Sequence, residues 1–232
     1  MPAASPIART GQFQARVAAV SQLSPRMRRI ELQSPEFATQ AWPLGCDVAV
    51  VLAAEGREVR RRYTVRSSAG DRLTVDAVLH GHGPGSTWAA GLSAGDPVTF
   101  YGPRGELPVP QADWLIALAD ESGLPAIGAL AEAIGPRPLA VYAEIADLGE
   151  QYPLPGNVEV RWLARDGVAA GSAELMLAAV AGHAAPAGRG YGYVLGESRA
   201  VVSVRDALAR LGLDRADVYA KGYWNLQSRP TR

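Results

Sequence analysis

An arginine, a tyrosine and a threonine stand close together on one extended segment and are the first candidates for chemistry in this chain. The segment is Arg61-Arg62-Tyr63-Thr64-Val65-Arg66. Strand alternation places Arg61 and Tyr63 on one face, where a guanidinium can pair with a diphosphate and the phenol ring can pack against isoalloxazine or ribityl. Thr64 can then hydrogen-bond the flavin edge. The segment therefore suits a flavin, although an exposed arginine-rich strand with an ordinary tyrosine would carry the same residues.

A glycine-rich loop follows the next strand-like run and leads into a short helical pattern. It is Leu79-His80-Gly81-His82-Gly83-Pro84-Gly85-Ser86-Thr87-Trp88-Ala89. Small residues let backbone N–H groups approach an anion closely, and a helix N-terminus carries partial positive charge suited to a pyrophosphate. Ser86 is the predicted N-cap, and both histidines have the alternative of being ordinary loop residues. The predicted binding residues of this loop are His80, Gly83, Gly85, Ser86 and Trp88.

An acidic loop occupies a similar place in the second half of the chain, between an apolar run and a helical pattern. It is Asp120-Glu121-Ser122-Gly123-Leu124-Pro125. The pattern predicts that Ser122 caps the helix and that Pro125 lies in its first turn. It is not the G-x-G-x-x-G fingerprint, and two carboxylates disfavour a phosphate. An ordinary helix cap and a nucleotide loop both remain open.

Arg165 ends the run Trp162-Leu163-Ala164-Arg165, at a predicted strand end. There it can hold the 2′-phosphate of NADPH. A solvated arginine paired with Asp166 is an equal alternative, and Glu144 and Asp147 can instead favour a ribose hydroxyl, as in NADH. The choice between NADH and NADPH stays open at this point.

The composition is that of a globular protein without a net charge. The chain has 232 residues, is 48% hydrophobic and has a formal net charge of zero. We therefore expect one large or two modest domains, no nucleic-acid partner and no stable membrane association. Cys46 is the only cysteine, which excludes an intrachain disulfide and a four-cysteine iron–sulfur cluster. No metal site is predicted, and the expected location is cytoplasmic.

Short strand-like runs separated by turns fill the first half of the chain and predict a six-stranded antiparallel barrel. The runs are 14–20, 27–32, 47–53, 59–67, 73–79 and 97–102. After a hinge at Pro108-Val109-Pro110, apolar runs alternate with helical patterns near 124–134, 173–181 and 203–211. This alternation predicts a mainly parallel sheet. The expected fold is β plus α/β, with domains 10–108 and 111–232.

Seven short elements in this order resemble the siderophore-interacting protein family, whose members are FAD-dependent ferric-siderophore reductases of the ferredoxin reductase-like group. The likeness spans most of the chain. Its elements are 61–66, 80–89, Gly102-Pro103-Arg104-Gly105, 120–127, 162–165, Gly196-Glu197-Ser198 and Lys221-Gly222-Tyr223-Trp224. Two departures stand out: Gly123 replaces the alanine usual in the family, and Asn225 onward lacks the usual arginine- or glycine-rich continuation.

The resemblance implies a flavin-binding barrel for FAD and a second domain for NADH or NADPH. It implies that Tyr63 and Thr64 tune the flavin, and that Gly196 and Glu197 contact nicotinamide. It also implies that Tyr223 and Trp224 approach the flavin, although plain core packing is their alternative. A ferric siderophore is the implied substrate and a monomer the expected state, with Lys221 and Arg104 as candidate substrate contacts. The predicted cofactor-binding residues are Arg61, Tyr63, Thr64, Val65, His80, Gly83, Gly85, Ser86, Trp88, Asp120, Glu121, Ser122, Arg165, Gly196, Glu197, Tyr223 and Trp224.

Two other functions remain open at the level of sequence. One is a flavin reductase or electron-transfer oxidoreductase of the same fold that serves another acceptor. The other is a binding protein that holds a flavin or a ferric chelate without turnover.

Overall fold

The chain divides into two compact units, Met1–Leu107 and Pro108–Arg232. A computed structural model describes residues 10–155 and 158–226. The boundary falls in a stretch, residues 105–112, that forms neither helix nor strand. Pro108 and Pro110 lie in this stretch, and proline cannot donate a backbone N–H to a sheet.

Six antiparallel strands close the first unit into a barrel, as predicted. The strands are β1 (Gly11–Ser24), β2 (Met27–Gln33), β3 (Asp47–Ala54), β4 (Arg57–Ala69), β5 (Arg72–Val78) and β6 (Pro97–Arg104). Their order is β1-β2-β5-β4-β3-β6, and β6 pairs back onto β1. Glu55 and Gly56 form the two-residue turn that joins β3 to β4. Their φ angles are positive, 51° and 73°, as required by a hairpin turn whose twist matches that of the strands.

The barrel core is built from the inward faces of the strands and an aromatic cluster. Phe13, Phe37, Trp42 and Phe100 lie with ring centroids 5.4–6.2 Å apart. Phe37 belongs to a short 3-10 helix, Pro35–Thr39, that the sequence analysis did not predict. Helix α1 (Gly83–Gly91) lies between β5 and β6 in the chain.

Five parallel strands form the sheet of the second unit, as predicted. They are β7 (Trp114–Ala119), β8 (Leu139–Ile145), β9 (Glu159–Ala164), β10 (Gly190–Glu197) and β11 (Val218–Trp224). Their order is β11-β10-β7-β8-β9. The helices are α2 (Leu124–Ala133), α3 (Glu174–Gly182) and α4 (Ser198–Ala207).

The central strand explains where the polar loops of this unit lie. All six residues of β7 are buried, which is typical of a parallel strand covered on both faces. The first polar residue after it is Asp120, at the carboxyl end of the strand. Because parallel strands share one carboxyl edge, the loops after β7, β8, β9 and β10 meet at that edge, where nucleotides bind in open α/β sheets.

The last helix begins earlier than predicted. Its predicted position was near 203–211, whereas α4 begins at Ser198 and a 3-10 helix, Leu208–Leu211, continues it. The reason is that Glu197 caps the helix immediately after β10. Its carboxylate accepts hydrogen bonds from the backbone N–H groups of Arg199 and Ala200 at 2.7 and 2.9 Å.

Candidate functional site

Strand β4 and the start of α1 meet at a small surface formed by Arg61, Tyr63, Gly85 and Trp88. The hydroxyl of Tyr63 donates a hydrogen bond to the carbonyl of Gly85 at 3.1 Å. The rings of Tyr63 and Trp88 lie 5.2 Å apart. A Cβ added at Gly85 would lie 2.8 Å from the Tyr63 hydroxyl oxygen and 3.2 Å from Arg61 Cγ. The two predicted motifs, far apart in the chain, are therefore adjacent in space, and a larger residue at position 85 would have to displace Tyr63 or Arg61.

Burial raises the pKa of Tyr63 well above its usual value, although the Arg61 charge opposes this. Tyr63 therefore stays protonated and acts as a hydrogen-bond donor at physiological pH. Arg61 is exposed, and one of its terminal nitrogens donates to the carbonyl of Arg60 at 2.9 Å. The junction thus offers an exposed cation beside a neutral phenol.

The N-terminus of α1 lies at this junction. The helix begins at Gly83, three residues before Ser86, the predicted N-cap. Ser86 is not the N-cap: it lies inside the helix, and its hydroxyl accepts a hydrogen bond from the N–H of Gly81 at 3.2 Å. His82 occupies the N-cap, and Pro84 lies in the first turn, a position proline favours. The first turn contains no acidic residue, so its partial positive charge is not neutralised from within the helix.

The two loop histidines lie against each other at the surface. Their ring centroids are 4.5 Å apart, and His82 Nδ1 lies 2.9 Å from the carbonyl oxygen of His80. Partial burial lowers the pKa of His80, and His82 lowers it further. His80 is therefore mostly neutral at pH 7 and adds little positive charge beside Arg61 and the helix N-terminus.

The structure separates Thr64 and Val65 from the other β4 residues. Thr64 is 3% exposed, and its hydroxyl donates to a carboxylate oxygen of Asp47 at 3.4 Å. Val65 packs in the barrel core, and its backbone N–H donates to the carbonyl of Cys46 at 2.8 Å. The contact of Val65 with a cofactor stays a prediction. The contact of Thr64 with a flavin stays a prediction.

Arg28 positions α1 and was not identified from the sequence. Its guanidinium donates to the carbonyl oxygens of Ala89 and Leu92, each at 2.8 Å, and also to that of Ala90. These are carbonyls at the C-terminal end of α1, which lack partners within the helix. A cation at this end also complements the helix dipole. Arg28 lies on β2, and no spacing rule relates it to α1.

The Asp120 carboxylate joins three chain segments at the carboxyl edge of the second unit. One oxygen accepts from the N–H of Ser122 at 2.9 Å and from its hydroxyl. The other accepts from the N–H of Glu197 at 3.0 Å and from the indole N–H of Trp224 at 2.8 Å. The loop after β7, the start of α4 and the end of β11 are therefore tied to one carboxylate. Ser122, predicted as the cap of α2, is engaged with Asp120 instead, and Gly123 is the N-cap.

Gly196 is required for this arrangement. Its φ is 153°, and a Cβ added to it would lie 2.5 Å from a carboxylate oxygen of Asp120. Burial raises the pKa of Asp120, although hydrogen bonds from Ser122 and Trp224 oppose this. Asp120 is 5% exposed, so its role in this structure is to hold chain segments together.

The Glu197 carboxylate is hydrogen-bonded to backbone N–H groups. Besides capping α4, it accepts from the N–H of Leu226 at 3.2 Å. Burial alone would raise its pKa, but the hydrogen bonds from Ala200, Leu226 and Arg199 outweigh burial and lower the pKa. The Glu197 side chain is 2% exposed, and its predicted contact with nicotinamide stays a prediction. The three segments that Asp120 joins nevertheless bring Gly196, Ser122 and Trp224 to one edge.

Arg165 is buried between two carboxylates, so the alternative of a solvated pair with Asp166 was wrong. Its terminal nitrogens bind both oxygens of Glu121, at 3.1 and 2.5 Å, and one oxygen of Glu144 at 3.2 Å. The pKa of Glu144 is raised to about 7, because the effect of burial exceeds the opposing effect of Arg165. One guanidinium therefore serves two carboxylates, an arrangement that no sequence spacing predicted.

The predicted substrate contacts lie in separate units. The Lys221 ammonium sits 5.0 Å from the centre of the Tyr223 ring, a cation–π distance. Arg104 is exposed at the end of β6. Both contacts stay predictions. Within residues 10–155 and 158–226, no group of three or more His, Cys, Asp or Glu side chains could hold a metal ion, and no helix is long and apolar enough to cross a membrane.

A closed antiparallel barrel followed by a five-stranded parallel sheet is a ferredoxin reductase-like fold. A crystal structure of a siderophore utilization protein from T. fusca shares it with a TM-score of 0.85 and 30% identity, over 96% of each chain. The family model described as siderophore-interacting protein matches residues 112–227, and the siderophore-interacting FAD-binding domain matches residues 40–107. The chain belongs to the siderophore-interacting protein family.

Some curated relatives carry functional names. The ferric vibriobactin reductase ViuB of Vibrio cholerae is 32% identical over 75% of this chain and 67% of its own length. The NADPH-dependent ferric-chelate reductase of Escherichia coli is 30% identical over 66% of this chain and 61% of its own length. Other curated relatives are matched over 62% of their length. The chain thus spans 61–67% of the length of these curated relatives.

Proposed function

We propose that this chain is a cytoplasmic FAD-dependent reductase that uses a reduced nicotinamide dinucleotide to reduce the iron of ferric siderophores. The observation that carries the proposal is the junction of β4 with α1, where Arg61, Tyr63 and Gly85 meet. The match of residues 40–107 to a FAD-binding domain supports it. The names of the V. cholerae and E. coli relatives support reduction of a ferric chelate.

The residues at the junction fit FAD. A dinucleotide carries two phosphates, which an exposed guanidinium and a helix N-terminus are suited to bind. Gly85 lets the Tyr63 hydroxyl and the Arg61 side chain lie directly against the start of α1. Tyr63 and Trp88 add an aromatic surface for the ring or the ribityl chain. We assign Arg61 and the first turn of α1 to the phosphates, and Tyr63 with Trp88 to the apolar part.

The carboxyl edge of the second sheet is the proposed place for the nicotinamide dinucleotide. Asp120 holds the loop after β7, the start of α4 and Trp224 in fixed positions through four hydrogen bonds. Because the hydrogen bonds join three segments, Asp120 is a positioning residue in this proposal. Gly196 lets the Asp120 carboxylate lie directly against the backbone at the same edge.

When bound, FAD supplies two-electron acceptance from nicotinamide and one-electron donation to Fe(III). Hard anionic oxygen ligands hold Fe(II) less well than Fe(III), so reduction loosens the siderophore's hold. The chain's own contribution is to bind and orient. Arg104 and Lys221 are the proposed cations that attract an anionic ferric chelate.

The proposal is tested by trapping Fe(II) with ferrozine. Purified protein reconstituted with FAD is mixed anaerobically with NADH or NADPH and a panel of ferric catecholate and hydroxamate siderophores. We expect Fe(II) only when FAD and a nicotinamide donor are both present. Equal Fe(II) without protein, or no electron transfer to any ferric chelate, would redirect the assignment to a flavin reductase with another acceptor.

A further inference from the structure

The pairing of Arg165 is asymmetric, and the asymmetry bears on which nicotinamide donor the chain accepts. Glu121 binds the guanidinium through both of its oxygens, whereas Glu144 uses one. A two-point pairing fixes the guanidinium plane as well as neutralising its charge. Arg165 is therefore not a free cation at the carboxyl edge of the sheet.

Glu121 is also the most accessible member of the group. The exposed fraction of the side chain is 16% for Glu121, 6% for Arg165 and 3% for Glu144. Glu121 follows β7 directly, in the loop that leads to α2. A ligand that approaches this group from solvent meets the Glu121 carboxylate more readily than the guanidinium behind it.

A 2′-phosphate and a ribose hydroxyl differ in how they meet this surface. A phosphate is an anion and an acceptor, so it must compete with two carboxylates for one guanidinium and lie against Glu121. A 2′-hydroxyl can donate a hydrogen bond to the same carboxylate, as acidic residues do for the ribose of NAD in dinucleotide folds. Asp120, one residue away, adds a further acid and no cation.

We propose that Glu121 selects NADH over NADPH in this chain, by holding Arg165 in a two-point pair and by presenting its own carboxylate to the adenosine ribose. The inference rests on the proposed function, because it assumes that the second unit binds a nicotinamide dinucleotide. Of the roles that the sequence left open for Arg165, binding of a 2′-phosphate is then ruled out: Arg165 positions the acid that accepts the ribose.

The test measures binding of two fragments, AMP and 2′-phospho-AMP, to the FAD-loaded protein by calorimetry. The variants are Glu121→Gln, which keeps the shape but removes the charge, and Glu159→Gln as matched control. Glu159 is an exposed glutamate at the other end of β9, paired with Arg161 at 3.8 Å. The same proteins are assayed for kcat/KM with NADH and NADPH.

The wild-type chain and the control should bind AMP at least tenfold more tightly than 2′-phospho-AMP, and Glu121→Gln should reduce that ratio at least tenfold. A wild-type ratio of one or below overturns the inference even if the variant fails to fold. A ratio that Glu121→Gln leaves unchanged overturns it as well. In both cases measurable AMP binding leaves the proposed function standing. If neither fragment nor NADH binds any variant, the inference and the nucleotide role of the second unit fall together.

Discussion

Replacing Gly85 with alanine is the sharpest perturbation of the junction between β4 and α1. The added Cβ would lie 2.8 Å from the Tyr63 hydroxyl oxygen and 3.2 Å from Arg61 Cγ. Either both side chains shift or the helix start does. Overpacking of this kind costs about 1–3 kcal/mol, and loss of the Tyr63 hydrogen bond costs about 1 kcal/mol. Alanine's better helix propensity returns about 1 kcal/mol.

Gly91, in the same helix, is the matched control because a Cβ there meets nothing within 4 Å. We expect Gly85→Ala to weaken FAD binding by at least about tenfold, equivalent to about 1.4 kcal/mol, while Gly91→Ala keeps wild-type affinity. Fluorescence titration of the apoprotein with FAD measures both. Equal FAD affinities for the two variants would refute the assignment of this junction to the flavin.

Three further outcomes follow from other contacts. Arg61→Ala should weaken FAD binding by about 1.5–3 kcal/mol because a charge-assisted phosphate contact is lost; Arg57→Ala, an exposed arginine on the same strand paired with Glu55, should not, and equal effects in the titration would remove Arg61 from the site. Asp120→Asn should lower the free energy of unfolding by about 1–3 kcal/mol, since an amide cannot accept all four hydrogen bonds; an unchanged urea midpoint would contradict its positioning role. Burial raises the pKa of Glu144 to about 7 from an ordinary 4.5, so the folded chain binds this proton more tightly and its stability falls as pH rises through that window. Glu144→Gln should reduce the loss of folding free energy across this pH window by up to about 3 kcal/mol. Parallel stability–pH curves for the two proteins would show that Glu144 does not titrate this way.

The architecture followed from local patterns because each element is encoded by contiguous residues. Turn pairs such as Glu55-Gly56 fix hairpins, and alternating apolar runs with helical patterns define a parallel sheet. The convergence of Arg61 and Tyr63 with Gly85 was anticipated only through the family resemblance. Sequence spacing alone does not say that β4 and α1 meet.

The errors share a physical cause, competition among polar groups that the fold brings together. Ser86 was expected to cap α1, but Gly83 and Pro84 start the helix earlier, and Pro84 was the signal that could have shown this. Glu197 caps α4, a role usually taken by shorter side chains. The pairing of Arg165 with two glutamates depends on three strand ends meeting at one edge, which only the folded sheet reveals.

The most direct test of the central claim is an anaerobic spectral titration of the FAD-loaded protein. NADH is added first, and the visible flavin absorbance is followed; a ferric catecholate siderophore is then added with ferrozine present. We expect bleaching by NADH, recovery of the oxidised spectrum on addition of the ferric siderophore, and about two Fe(II) trapped per NADH oxidised. A flavin that NADH bleaches but that no ferric siderophore reoxidises, or a protein that binds no FAD, would contradict it.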